Sequence, residues 1–195
     1  MGITLDYYNK NAKSFYLTTK DVDFHVIQDK FLSYLHKKAQ ILDFGCGSGR
    51  DTKYFLDKGY NVEAWDGSKE LCKLASEYTG IQVQNKMFFE LEAVSEYDGI
   101  WACSSILHLP KNELLSVIRK MCVALRGSGI IYTSFKYGDF EGERNGRHFT
   151  DFTEDSFQDF IKEVPEIMIV ENWITGDVRP GRGEEKWLNL ILQKI

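Results

Sequence analysis

The stretch ILDFGCGSGRD, from Ile41 to Asp51, decides the fold. A short apolar run ends at Phe44, and glycines follow at alternate positions, Gly45, Gly47 and Gly49. The run reads as a strand and the glycines as the loop leaving it. Glycine lets the backbone turn sharply and lets a ligand approach the main chain. The helix expected next, SGRDTKYFLDKG, offers free N–H groups at its start.

Outward from that point the chain alternates. Strands are expected at AQILDF, YNVEAWD, IQVQ, YDGIWACS and GIIYTSFK, with helices at SKELCKLASEYTG and at KNELLSVIRKMCVALRGSG, the latter ending at Gly127. Two helices, about 5–18 and 22–38, precede the first strand, the second with Phe24, Ile27, Phe31, Leu32 and Leu35 at helical spacing. A helix near TEDSFQDFIKEV leads to a strand EIMIVENWI, a loop TGDVRPGRGEE and a last strand KWLNLILQKI. So short a loop permits only an antiparallel hairpin. The pattern predicts an α/β, Rossmann-like, seven-stranded, mostly parallel sheet with an antiparallel last strand, helices on both faces and an N-terminal helical lid. One domain is expected over 1–195, with the lid at 1–38, a cofactor-binding core at 39–136, and acceptor-side loops with a C-terminal hairpin at 137–195.

Composition fits this. The 195 residues are 43% hydrophobic and 27% charged, ordinary for a globular domain. The net charge of −5 argues against a nucleic-acid partner, which wants a basic surface. No apolar run long enough for a signal peptide or membrane span is visible. Asp6 stands where a myristoylation signal after Gly2 wants Ser or Thr. The cysteines, Cys46, Cys72, Cys103 and Cys122, have neither metal-ligand nor disulfide spacing, so free thiols in a cytoplasmic protein are expected. The sequence assigns no oligomeric state.

Two ligands suit the glycine loop. A dinucleotide wants G-x-G-x-x-G, but Arg50 stands at the third glycine, and Asp43 before the loop would repel a pyrophosphate while attracting an ammonium group. S-adenosylmethionine, with an amino-acid end and no phosphate, fits better. Asp66 ends the second strand, where a carboxylate accepts hydrogen bonds from ribose hydroxyls; capping of the helix starting at Ser68 is the alternative.

At these residues the sequence resembles the class I S-adenosylmethionine-dependent methyltransferases. LDFGCGSGRD is similar to their first motif and VEAWDGS to their second. YDGIWACSSILHLP and LRGSGIIYTSFK are similar to their fourth- and fifth-strand regions. GCGSGRD, WACSSILHLP, YTSFKYG and TGDVRPGRGEEKWLN further resemble the tellurite-resistance-type and related small-molecule methyltransferases. The resemblance implies S-adenosylmethionine as cofactor. Asp43, Gly45 and Gly47 would hold the methionine end, Asp66 the ribose, and Gly67 and Ser68 would border the adenine. Where relatives have an acid after the third strand, this chain has Met87 and Phe88, which would pack on the adenine or serve as core. Cys103 would pass beneath the methionine portion or simply fill space.

Methyl transfer is an in-line displacement from an activated donor, so alignment and exclusion of water matter most, and no metal is needed. His108 in ILHLP is a candidate base or orienting group, or a helix-entry histidine. His148, with Arg144 and Arg147, follows the fifth strand. Asp177, Arg179 and Arg182 lie in the last hairpin. Arg147 and Arg179 holding an anionic small-molecule acceptor is one reading; a solvated loop with Arg179 paired to Asp177 or Glu184 is the other. Tyr8 and Tyr16, eight positions apart, are expected on one face of a lid helix and near the cofactor. A methyltransferase acting on tRNA or another macromolecule, and a non-catalytic binding protein, are the alternatives to a small-molecule enzyme.

Overall fold

The computed structural model describes residues 2–179 and 181–195. Helices α1 (Gly2–Thr19) and α2 (His25–Leu32) come first. Then follow β1 (Gln40–Phe44), α3 (Arg50–Asp57), β2 (Asn61–Asp66), α4 (Lys69–Thr79), β3 (Gln84–Asn85), β4 (Tyr97–Ala102), α5 (Lys111–Ala124) and β5 (Leu125–Lys136). The chain ends with β6 (Glu141–Arg144), β7 (Arg147–Thr150), α6 (Glu154–Ile161), β8 (Ile167–Gly176) and β9 (Lys186–Lys194). The main sheet has seven strands in the order β3-β2-β1-β4-β5-β9-β8. Strand β9 runs antiparallel to both its neighbours, and β1 to β5 are mutually parallel. No helix among the described residues is long and apolar enough to cross a membrane.

Period-two alternation sorts the core onto the two faces of the sheet. Ile41, Trp101, Ile130, Tyr132 and Ile191 pack with Ile27 and Phe31 of α2 and Phe55 of α3. Leu42, Phe44, Ile100, Ile131, Phe135 and Leu190 pack with Leu114, Val117 and Met121 of α5 and Phe157 of α6. Trp101 and Tyr132, both fully buried, stack at 4.0 Å on the first face.

Four boundaries differ from expectation. Helix α5 stops at Ala124, and β5 begins at Leu125 rather than at Gly129, because buried Leu125 pairs with Tyr97 and the strand shifts register before Gly99. Strand β3 shrinks to two residues, since Ser76 Oγ accepts Val83 N–H and so keeps that N–H out of the sheet ladder. Helix α2 ends at Leu32, and Lys38 takes φ +62° in the connection to β1. The segment after β5 is a second, two-stranded sheet, β6–β7, where a loop was expected. Pro180, in the expected loop between β8 and β9, lies outside the described residues.

Candidate active site

The parallel strands end on one rim, and a cleft of about 680 Å³ opens there, within the range of small-ligand sites. Its floor is the glycine loop. Gly45 and Cys46 donate to the Trp65 carbonyl at 2.9 Å, which hooks the loop to the end of β2. Gly45 has φ +89°, and a Cβ there would lie 2.5 Å from Ser105 Cβ. Gly45→Ala is therefore expected to displace the loop and abolish cofactor binding; calorimetry with S-adenosylhomocysteine would measure it, and wild-type affinity would refute it.

Asp66 stands beside that loop at the tip of β2. Its Oδ2 accepts Gly47 N–H at 2.8 Å and its Oδ1 accepts Ser68 N–H at 2.7 Å. Burial pushes its pKa up, and those two N–H groups oppose the push. Gly67 also lines the cleft, with Leu5 of α1 and Met87 close above it. Ser68 does not line it. Its hydroxyl caps α4 by accepting Leu71 N–H, and donates to Asn9 of α1 at 2.8 Å. Met87 and Phe88 line the cleft, and the Phe88 ring also meets Phe44 edge-on at 4.8 Å. Phe88 thus joins the cleft wall to the core.

Asp43 lies elsewhere than expected. It shares its face of β1 with Ile41, toward α3, and its carboxyl accepts the Thr52 hydroxyl at 2.5 Å. It is buried and lies outside the cleft lining. Burial first, then the neighbouring Asp51, raise its pKa well above the usual carboxylate range. The groups that do line the cleft at this point are Arg50 and Asp51. Arg50 binds Asp51 through Nε at 2.8 Å and Nη2 at 2.9 Å and lies over the Phe24 ring at 4.4 Å. Cys103 lines the cleft beside Arg50, and burial pushes its thiol up to about 12, so it stays neutral.

Helix α1 roofs the cleft with Thr4, Leu5, Tyr8, Phe15 and Thr19. Tyr8 and Phe15, two turns apart, share the inward face, and their rings meet edge-on at 5.3 Å. Tyr16 is turned aside and packs on Tyr78 of α4, because an interval of eight overshoots two turns by most of a quarter-turn. Phe15 takes the inward place expected of Tyr16, resting on Gly47.

His108 lies in the turn after β4, and the protein engages both of its ring nitrogens. Nδ1 is 2.6 Å from the His148 carbonyl and Nε2 is 2.9 Å from the Tyr8 hydroxyl. Burial lowers its pKa to about 4. Of the roles expected for His108, base or orienting group, or a helix-entry residue, the engagement of both ring nitrogens favours orienting over a free base, and the residue lines the cleft. Arg179 closes its fork on Asp177, at 2.9 Å and 2.5 Å, and Trp187 donates to the same carboxylate. That pairing holds Asp177 down to about 2, despite its burial. Arg144 likewise holds Asp151, at 2.9 Å and 3.0 Å. Arg147 differs. Its guanidinium lies over the Tyr7 ring at 4.4 Å and the Phe149 ring at 5.0 Å, its Nη1 reaches Tyr8 Oη at 3.4 Å, and its buried Nε has no hydrogen-bond partner. Among the described residues no carboxylate pairs with it, and it lines the cleft.

The comparisons agree with this architecture. A family model described as a methyltransferase domain matches residues 41–129. An uncharacterized methyltransferase of Staphylococcus carnosus is 26% identical over 67% of this chain and 68% of its own length. A putative methyltransferase of Bacillus subtilis is 26% identical over 54% of this chain, which covers only 47% of that protein. Among solved structures, the 1,6-didemethyltoxoflavin N1-methyltransferase of Burkholderia thailandensis, crystallised with its substrate and S-adenosylhomocysteine, superposes with a TM-score of 0.79 at 21% identity. That match covers 99% of this chain and 88% of the other.

Proposed function

We propose, for a chain that belongs to the class I S-adenosylmethionine-dependent methyltransferases, that the methyl acceptor is a small anionic molecule enclosed beneath α1 and the β6–β7 hairpin. The observation that carries this is Arg147, an arginine in a roofed cleft that pairs with no carboxylate among the described residues. Holding a guanidinium there is costly unless an anion meets it. A roof that closes over the cleft suits a small acceptor better than a tRNA.

S-Adenosylmethionine supplies an activated methyl group when bound. The chain's own residues then bind, orient and exclude water. In this reading Asp66 takes the ribose, Gly67, Met87 and Phe88 the adenine, and the loop from Gly45 to Gly47 the methionine end, with Arg50 and Cys103 beneath it. Asp43 acts from below, by fixing α3 to the loop. The acceptor lies on the side of β5 and β9, between Arg147 and Trp187. The Burkholderia enzyme's name, that of a small-molecule methyltransferase, supports the size class.

The test uses tritiated methyl donor with a deproteinised metabolite extract, and in parallel with tRNA and protein. Label is expected in the small-molecule fraction, in a compound retained on anion exchange. Arg147→Ala should lower kcat/KM for that compound about tenfold or more, as loss of a charge-assisted hydrogen bond does. Arg179→Ala should cost it much less, since that guanidinium is already satisfied by Asp177. Label in tRNA or protein alone, or equal effects of the two variants, would refute the reading.

A further inference from the structure

The proton positions around His108 follow from its partners. A carbonyl only accepts, so His108 Nδ1, 2.6 Å from the His148 carbonyl, carries a hydrogen. The ring is neutral, because burial lowers its pKa to about 4 and the groups facing it are Tyr8, Arg147 and His148, none of them acidic. Nε2 is therefore bare, and the Tyr8 hydroxyl 2.9 Å away must donate to it. Burial also keeps the phenol protonated. Tyr8 Oη has then spent its one hydrogen and has only lone pairs left. Arg147 Nη1 addresses one, weakly, at 3.4 Å. The other is available to whatever occupies the cleft.

Tyr8 also stands centrally. Asp66, on the ribose side, raises its pKa, and Tyr8 in turn raises that of Arg179, on the far side. Its immediate partners, His108 and Arg147, belong to the segments after β4 and β5, not to the glycine loop.

We infer that Tyr8 is the group of the lid that meets the methyl acceptor, as a hydrogen-bond acceptor, and that His108 is the positioning residue that fixes its proton. The inference rests on the acceptor site described above and narrows it. The atom to be methylated carries a hydrogen, as O–H, S–H or N–H, and an anionic or carbonyl oxygen beside it faces Arg147. Donating that hydrogen to Tyr8 aims the atom's remaining lone pair at the methyl group. As the new bond to carbon forms, the carbon–sulfur bond breaks with its electron pair leaving on S-adenosylhomocysteine, the acceptor's hydrogen passes to Tyr8 Oη, and the phenol's own proton moves to His108 Nε2. A compound already fully alkylated at that atom is refused, because the Tyr8 lone pair would be left buried and unmet. The site is also complete only with α1 closed, since the lid supplies the contact.

Three measurements on the full chain, the first with S-adenosylhomocysteine bound, test this. In a long-range proton–nitrogen spectrum His108 should carry its hydrogen on Nδ1, without titrating between about pH 6 and 8, and Tyr8→Phe should move the Nε2 resonance. A hydrogen on Nε2 would turn the phenol's own hydrogen toward the cleft and overturn the inference. In calorimetry Tyr8→Phe should bind S-adenosylhomocysteine within about twofold of wild type; a loss of about tenfold would put the Tyr8 lone pair on the cofactor's ammonium group and overturn it equally. With the labelled compound, Tyr8→Phe and His108→Ala should lower kcat by similar factors, the double variant no further, and His108→Gln should recover part of the loss. Independent, multiplying losses would overturn it. Failure of the wild-type chain to bind S-adenosylhomocysteine would instead remove the underlying functional reading.

Discussion

Asp66→Ala is expected to weaken S-adenosylhomocysteine binding by about one to two orders of magnitude, the loss that hydrogen bonds to a charged group of ~1.5–3 kcal/mol produce. The carboxylate sits at the tip of β2, with one oxygen on Gly47 N–H and the other on Ser68 N–H. Each oxygen keeps a lone pair for a ribose hydroxyl. In the proposed reading the same side chain shapes the loop and meets the ligand, so its removal costs both. Asp66→Asn keeps one oxygen acceptor and should fall between. Because burial raises the Asp66 pKa, the charged form that binds is lost earlier on acidification than an exposed aspartate's would be. Affinity should fall as the pH drops through that raised value. Calorimetry on the native protein and both variants reads all three effects. Unchanged affinity in Asp66→Ala would withdraw Asp66 from the cofactor site.

How far the sequence speaks for this molecule depends on which period governs each segment. The alternating strands and helices were legible because buried parallel strands and amphipathic helices write their periods plainly. Asp43 is legible as a strand residue, but the face of the strand on which it lies follows from the period of two and not from its nearness to the glycines. Counting forward to the glycines puts it at the cleft. Counting by two along β1 puts it with Ile41 on the α3 face, where the Thr52 hydroxyl donates to it. Tyr16 was misplaced in the same way, since an interval of eight fits the helical period less well than the interval of seven that brings in Phe15. The β6–β7 hairpin carries a local sequence signal of its own. Asn145-Gly146, with φ +53° and +73°, is the pair that a tight two-residue turn prefers. What no pattern could supply is pairing between segments distant in sequence. That Tyr8 reaches His108, and that among the described residues Arg147 finds no acid where Arg144 and Arg179 each do, depends on how α1 and the hairpin meet.

The largest loss of stability is expected at Asp51. Four hydrogen bonds converge on its carboxylate. They come from Gln28 Nε2 at 2.6 Å, Arg50 Nε at 2.8 Å, Arg50 Nη2 at 2.9 Å and Trp101 Nε1 at 2.8 Å. It is 7% exposed, and Trp101 and Gln28 are buried with it. This one side chain ties α2, α3 and β4 together beneath the cleft. Asp51→Ala leaves an indole N–H, an amide and a guanidinium unmet in a buried place, for which about 3–5 kcal/mol is the expected loss. In a domain of this length that lowers the melting temperature by about 10 °C. One effect works the other way. Asp51 raises the pKa of Asp43, so its removal lets Asp43 ionise more easily and recover part of the charge balance with Arg50. Asp51→Asn should cost less than Asp51→Ala, since an amide oxygen still accepts from Trp101 or Gln28. Removing both charges together, in Arg50→Met with Asp51→Leu, should be less damaging than Asp51→Ala alone, because no isolated charge is then buried. Thermal and urea unfolding of the three variants would measure the order. A loss below about 1 kcal/mol in Asp51→Ala, the size of an ordinary surface contact, would mean that water reaches these donors and that the floor of the cleft is wet. The cofactor floor would then be held by the glycine loop's hooks on β2, and Arg50 would be free to move toward whatever the cleft binds.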